Sequence, residues 1–383
     1  MAIKPQKPVK QKDGQNLQLS LELGKYGKKP KFTATPTIIS SRLPAKPTVV
    51  FDTYWRFAAE RQKIFFNKLQ NIQMPWTDDS TLSVYKFTNA YRASDRTSQY
   101  LIRQVIYRSD LPSTNKEVFF RIMLFKVFNK IETWQLLEEK LGSIIHAEYS
   151  FERYDQILTE AMESGKKIYS AAYIMPSGGK TLGHTIKHRN HLKLIERMMD
   201  NELPKQLADT PSMQQGFELL LAYPTIGNFL AYQFITDINY SEITKFSEME
   251  FVIPGPGALD GIRKCFSDLG DLKETEIIKY IADNQEFEFE RLELDFKSLW
   301  GRPLQLIDCQ NLFCEVDKYA RVNHPEISGI SGRTRIKQKY SANKKPFDYW
   351  YPPKWEINQA IQEFATRNAN KSLSNKNLNQ RSG

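Results

Sequence analysis

The stretch Ser212-Met-Gln-Gln-Gly-Phe-Glu-Leu-Leu-Leu-Ala-Tyr-Pro-Thr-Ile-Gly-Asn-Phe-Leu-Ala-Tyr-Gln-Phe-Ile-Thr-Asp-Ile-Asn-Tyr-Ser241 decides how the chain folds. After a short acidic spacer it continues as Phe251-Val-Ile-Pro-Gly-Pro-Gly-Ala-Leu-Asp-Gly-Ile-Arg263. Phe217, Leu220 and Leu221 recur at helical spacing. Pro224-Thr-Ile-Gly227 breaks the pattern, and a second helical run begins at Asn228. A helix pair joined by so short a turn leaves the first N–H groups of its second helix without carbonyl partners, and such groups suit a phosphate. Thr225, Gly227 and Asn228 are therefore candidates for backbone contact with nucleic acid. Gly255 and Gly257 join them, because their turn carries no side chain to block a close approach.

Outward from this stretch, composition sets the frame. The chain has 383 residues, 40% of them hydrophobic, enough for one or two domains. No 18-residue apolar run predicts a membrane span, and the opening Met-Ala-Ile-Lys-Pro-Gln-Lys-Pro has no apolar core of a secretory signal. Cys265, Cys309 and Cys314 form no even set and no C-x-x-C pair, which fits reduced thiols inside a cell. The expected location is intracellular: cytoplasm in a prokaryotic or viral setting, nucleus in a eukaryotic one. The net charge of +10 is uneven. Residues 1–50 hold 10 Lys and Arg against 2 Asp and Glu, residues 332–383 hold 11 against 3, and the body between holds 33 against 39. Basic ends around a mildly acidic body add salt-sensitive affinity for nucleic acid or serve as solubilising tails.

The expected organisation is a basic disordered tail over 1–50, a mainly α-helical domain over 51–330, and a basic and aromatic extension over 331–383 with a disordered end. Lys28-Lys-Pro-Lys31 is too short to be specific. A helix opens near Phe51 with Asp52 or Thr53 as cap, and a second, short one is capped by Thr77 or Asp78. Asn89, Tyr91, Arg92, Asp95, Arg96 and Gln99 crowd polar chemistry before the next helix, which Asp95 caps. They read as a salt-bridged helix start, or as Asn89, Arg92 and Arg96 on a phosphate or base edge with Tyr91 stacking. Residues 117–141 are strongly helical; Lys126 and Asn129 within them need partners if buried, and both are also candidates for DNA contact. Ser177-Gly-Gly-Lys-Thr181 resembles a phosphate loop but has Ile174 where the first glycine belongs. His184, His188 and His191 share one helix face, yet no Glu or Cys accompanies them, so a basic solvated or DNA-facing helix is expected rather than a metal site. Asp308 caps a helix with Leu312, Phe313, Val316 and Tyr319 inward. Phe347-Asp-Tyr-Trp-Tyr-Pro-Pro-Lys-Trp355 is an aromatic knot that docks back on the body.

Phe57-Ala-Ala-Glu-Arg-Gln62, Phe87-Thr-Asn-Ala-Tyr-Arg-Ala-Ser-Asp-Arg96, Leu124-Phe-Lys-Val-Phe-Asn-Lys-Ile-Glu-Thr-Trp134, Pro254-Gly-Pro-Gly-Ala-Leu-Asp-Gly-Ile262 and Leu306-Ile-Asp-Cys-Gln-Asn-Leu-Phe-Cys-Glu-Val-Asp-Lys-Tyr319 together resemble a helical domain. It is the one found with 5-hydroxymethyl-deoxyuridine DNA kinases, a DNA base hypermodification family. That group is similar to the alpha-glutamyl/putrescinyl thymine pyrophosphorylases and, through them, to helix-hairpin-helix DNA glycosylases. The resemblance covers about residues 51–325. It implies a DNA-glycosylase-like fold, a hairpin clamp on the DNA backbone, and a modified pyrimidine flipped out of double-stranded DNA into a pocket of the protein.

A glycosylase of that kind needs a carboxylate near the sugar. Glu248 and Glu250 fall in register with the expected acid, Asp260 lies one turn into the next helix, and Asp237 lies on the second hairpin helix. The first hairpin glycine is replaced by Thr225. The lysine of lyase-active relatives falls on Phe229, so no Schiff-base step is expected. No cofactor is expected beyond a monovalent ion at the hairpin, and no metal. Three functions remain open: monofunctional cleavage of the N-glycosidic bond of a modified pyrimidine, transfer onto an activated hydroxymethyl pyrimidine, or non-catalytic recognition of modified DNA beside a separate kinase or modification enzyme.

Overall fold

The computed structural model describes residues 45–171, 175–341 and 348–379. Most of the basic N-terminal stretch, with Lys28–Lys31, and the Lys344-Lys345 pair lie outside the described residues. The chain enters at β1 (Lys46–Pro47), which pairs antiparallel with β2 (Phe266–Asp268), the one sheet among the described residues. α1 (Val49–Leu69) starts where the Thr48 hydroxyl accepts the Val50 N–H at 3.1 Å. Neither Asp52 nor Thr53 is the cap. Thr48 closes the turn earlier, leaving Asp52 in the first turn, where a carboxylate favours the helix dipole. Asp79, not Thr77 or Asp78, caps α2 (Ser80–Val84) by accepting the Leu82 N–H. α3 (Arg96–Tyr100) follows Asp95, whose side chain does not cap it but accepts the Asn89 N–H at 2.8 Å, and runs on as a π-helical turn over Leu101–Ile106.

The helical run over 117–141 divides in two. α4 (Asn115–Phe128) ends at Asn129, whose left-handed φ of 48° stops the helix, and α5 (Ile131–Leu141) resumes after it. Asparagine enters that conformation at less cost than most side chains. Val118 through Phe128 are all buried, the mark of a helix surrounded by core. Each large apolar side chain there contributes about 1.5–3 kcal/mol by leaving water.

There follow α6 (Phe151–Glu163), α7 (Gly179–Leu182), α8 (Lys187–Asp200), α9 (Leu203–Ala208), the pair α10 (Met213–Leu221) and α11 (Asn228–Ile238), α12 (Pro256–Cys265), α13 (Glu274–Asp283), α14 (Gln285–Arg291), α15 (Leu306–Asn323) and α16 (Asn358–Asn379). The expected mainly α class is what the chain adopts. Asp308 is not the cap of α15 but its third residue. Gln305 is the cap, and the two form a reciprocal capping box. α16 runs through residues whose composition gave no expectation of structure.

The helices pack in two groups. α4 lies against the π-helical turn, α8, α9 and α11, while α15 lies against α1, α12 and α13. α12 and α15 approach closely: a Cβ on Gly261 would sit 2.0 Å from the Phe313 carbonyl oxygen. No helix among the described residues is long and apolar enough to cross a membrane.

Candidate functional site

Between the two packing groups runs the loop that holds Arg92. Its backbone N–H donates to Asp308 Oδ1 on α15 at 2.7 Å. Its guanidinium forks onto Asp237 on α11, Nη1 to Oδ1 at 2.7 Å and Nη2 to Oδ2 at 3.0 Å. Nε donates to Gln233 at 3.2 Å, and Nη1 donates also to the Tyr240 hydroxyl at 3.0 Å. Lys126 of α4 reaches Asp237 Oδ2 at 3.0 Å and donates to Asn129 Oδ1 at 2.8 Å. Arg92, Lys126 and Asp237 are 4%, 3% and 1% exposed. Burial alone would raise the Asp237 carboxyl, but Arg92 and Lys126 beside it hold it below its ordinary value. Asp308 meets the opposite balance: burial pushes it up to about 7 against the two backbone N–H groups it accepts. Four side chains that the sequence placed in two roles, Arg92, Lys126 and Asn129 on DNA and Asp237 in chemistry, thus meet in one buried charge centre and do not face solvent.

An aromatic segment lies across this region. Tyr351 is fully buried, its hydroxyl 2.7 Å from Ser94 Oγ. The Trp350 N–H donates to Gln99, and Lys354 Nζ donates to the carbonyls of Ser241 and Thr244, each at 2.8 Å. Trp355 stacks over the Arg302 guanidinium, 3.8 Å from ring centroid to carbon, and approaches Tyr240 at 5.8 Å. Glu248 accepts from both Arg302 Nη2 at 2.7 Å and Trp355 Nε1 at 3.1 Å. Phe347 lies outside the described residues; the rest of the aromatic knot, residues 348–355, docks on the body, over the charge centre.

The hairpin forms a separate, exposed feature. Gly227 and Asn228 are exposed where α11 begins, and no side chain caps that end. Thr225 adopts φ 73°, a left-handed value that strains a β-branched residue, and its Oγ1 is buried without a partner. A Cβ on Gly178 would lie 3.3 Å from Thr225 Cγ2, so the Ser177–Thr181 loop abuts this turn. The second glycine-rich turn has another use. A Cβ on Gly255 would meet the Phe229 ring at 3.0 Å, and one on Gly257 would meet Cys314 Sγ at 3.1 Å. These glycines let α12 close on α11 and α15.

The four carboxylates separate. Asp237 and Glu248 are engaged as described. Asp260 is 1% exposed and accepts from the backbone N–H of Ser331 at 2.7 Å and from its hydroxyl. Glu250 alone is exposed. Asn89 bonds Ser94, Asp95 and Arg61. Tyr91 is 1% exposed and donates to the Arg302 carbonyl at 2.7 Å, so its ring packs against Phe296 in the interior. Arg96 is exposed. The histidines do not form a basic solvated face: His184 precedes α8, His188 is buried against Asp155 at 2.7 Å, and His191 bridges Tyr169 and the Pro176 carbonyl. Burial takes His191 down to about 4. No cluster among the described residues has the donors for a metal. Sequence reading passed over Gln233, Tyr240, Arg302 and Trp355. Their partners are distant in the chain, and only the aromatic run ending at Trp355 gave a signal.

Comparison with known proteins adds three findings. The family model described as 5-hmdU DNA kinase, helical domain, matches residues 48–329. A 5-hmdU DNA kinase of Bacillus phage SP10 is 28% identical over 310 residues, covering 76% of this chain. The chain spans about half of that relative, 48% of its length. No solved structure matches.

Proposed function

The chain belongs to the family of 5-hmdU DNA kinase helical domains, and from that premise we propose that it is a non-catalytic module that recognises DNA carrying a 5-hydroxymethyl pyrimidine and serves a kinase activity borne elsewhere. The observation that carries this reading is the state of three of its four candidate carboxylates. Asp237 is locked between Arg92 and Lys126, Glu248 between Arg302 and Trp355, and Asp260 on Ser331. A carboxylate so engaged is not available to steady a developing sugar cation or to activate water. The kinase-named relative has about as much chain again beyond this match. The one glycine-rich segment resembling a phosphate loop opens a four-residue helix, Gly179–Leu182. The exposed start of α11, at Gly227 and Asn228, is the part of the hairpin suited to a DNA phosphate.

The test uses matched fluorescent duplexes with 5-hydroxymethyl-deoxyuridine or thymidine at one position. Tighter binding to the modified duplex, with no free base by mass spectrometry and no phosphate transferred from ATP, is expected. Equal affinity for both duplexes overturns recognition. Release of base overturns the non-catalytic reading in favour of N-glycosidic cleavage, with Glu250 as the exposed carboxylate. A new base adduct would point instead to transfer.

A further inference from the structure

Beyond the family match, residues 331–340 lie along the body as a held segment. Ser331 is bonded to Asp260. Arg321 donates to the Arg335 carbonyl at 3.0 Å. Lys86 N–H donates to the Gln338 carbonyl at 3.0 Å and Tyr340 N–H to the Val84 carbonyl at 2.9 Å, on either side of an antiparallel bridge between Tyr85 and Lys339. Ile336 turns inward onto the core and Tyr340 is half-buried beside Lys68. Arg333, Arg335, Lys337 and Lys339 lie on either side of Ile336 in the chain, and all four are exposed. None of their side chains makes a hydrogen bond or ion pair among the described residues.

We propose that Arg333, Arg335, Lys337 and Lys339 form a fixed basic ladder that seats the phosphate backbone of duplex DNA. The proposal rests on the reading of the chain as a DNA-recognition module and names a second contact surface for it, apart from the hairpin. At full strand extension the six steps from Arg333 to Lys339 would span about 20 Å. Over that distance one strand of a duplex presents about six phosphates. A basic row on a loose tail must be ordered as it binds; this row is already held by backbone bonds at both ends. Solvated lysines are common on surfaces, but here four exposed cations stand in a row on a body whose own charge, 33 basic against 39 acidic residues, would not draw a polyanion. Phosphate contacts set position rather than base identity, so the ladder supplies affinity and leaves discrimination to the modified-base site.

The experiment measures binding of the full chain to the two duplexes from about 50 to 200 mM salt. The variant R333Q/R335Q/K337Q/K339Q is compared with the charge-preserving R333K/R335K/K337R/K339R, and thermal melts establish that both fold. The quadruple Gln variant is expected to lose about tenfold or more in affinity for both duplexes alike. Its plot of log affinity against log salt should be shallower by about 2–4, roughly one for each phosphate that the ladder no longer neutralises. The charge-preserving variant should keep both. An unchanged slope in a folded Gln variant overturns the ladder while leaving a modified-base preference standing. A ladder-dependent slope with equal affinity for both duplexes supports the ladder and overturns recognition. No binding to either duplex overturns both.

Discussion

At the residue scale the chain's least comfortable positions are those where charge or strain has been placed inside. Asp237 neutralises part of two buried cations. Replacing it by asparagine leaves Arg92 and Lys126 facing one another without their carboxylate, and the loss is expected at about 3–5 kcal/mol, read as a lower urea midpoint. Because the Asp237 pKa is depressed in the fold, its contribution is present above the ordinary carboxylate range and disappears as pH falls through the folded value. Asp308 has the reverse sign. Its folded pKa of about 7 lies above an unfolded value near about 4, so its contribution is complete in acid and declines as pH rises from about 4 to about 7. Asp308→Asn is therefore expected to cost less stability at pH 8 than at pH 5. A cost that grows with pH would show that the carboxylate form is the favoured one. Thr225 combines a left-handed φ with an unpaired hydroxyl. Thr225→Gly removes both and is expected to stabilise by about 1 kcal/mol, raising Tm by about 2 °C. If Tm falls, the threonine methyl against Gly178 matters more than the backbone strain.

At the element scale, the helices were legible where one face is apolar and a breaker is near: α1, α10 and α11 begin or end close to their sequence signals. The break at Asn129 was not, because the apolar spacing runs through it and only a positive φ reveals the stop. Lys126 shows the limit differently. Its position in an apolar run made partners necessary, but nothing local says that they are Asp237 and Asn129, one of them more than 100 residues on. The Gly255–Gly257 turn read as an open approach for a ligand, because an absent side chain looks the same whether DNA or another helix comes close. Gly261, in the same helix, carried no special weight, yet it decides how α12 meets α15. Gly261→Ala puts a methyl group 2.0 Å from the Phe313 carbonyl. The helices must part, and a loss of at least about 3 kcal/mol, or failure to fold, is expected. Gly227→Ala meets open space and should change stability by about 1 kcal/mol or less. Equal losses in the two variants would mean that glycine's conformational freedom, not the helix approach, is what both positions need.

At the scale of the whole molecule, the family match and the packing disagree about where the folded unit ends. The match stops at residue 329. Beyond it the chain ties Ser331 to Asp260, bridges Lys339 to Tyr85, buries Tyr351 beside Ser94 and sets Trp355 between Arg302 and Tyr240. It thereby touches the α12 group, the edge near α2 and the loop of the charge centre in turn. Tyr351, Ile357 and Ile361 are 0%, 6% and 5% exposed. At about 2 kcal/mol for each large side chain withdrawn from water, the three alone contribute roughly 6 kcal/mol before the entropy of ordering the segment. Ending the chain after Gly329 also leaves the Glu248–Arg302 pair and Asp260 open to water. The shortened protein is expected to unfold at a clearly lower urea concentration, with amide exchange fastest in the 89–95 segment and α3, which Trp350 and Tyr351 cover. If its midpoint and its exchange pattern match those of the full chain, the extension is an appendage laid on a domain that is complete at 329. If only the loop loosens, the extension acts locally, as a cover on the charge centre.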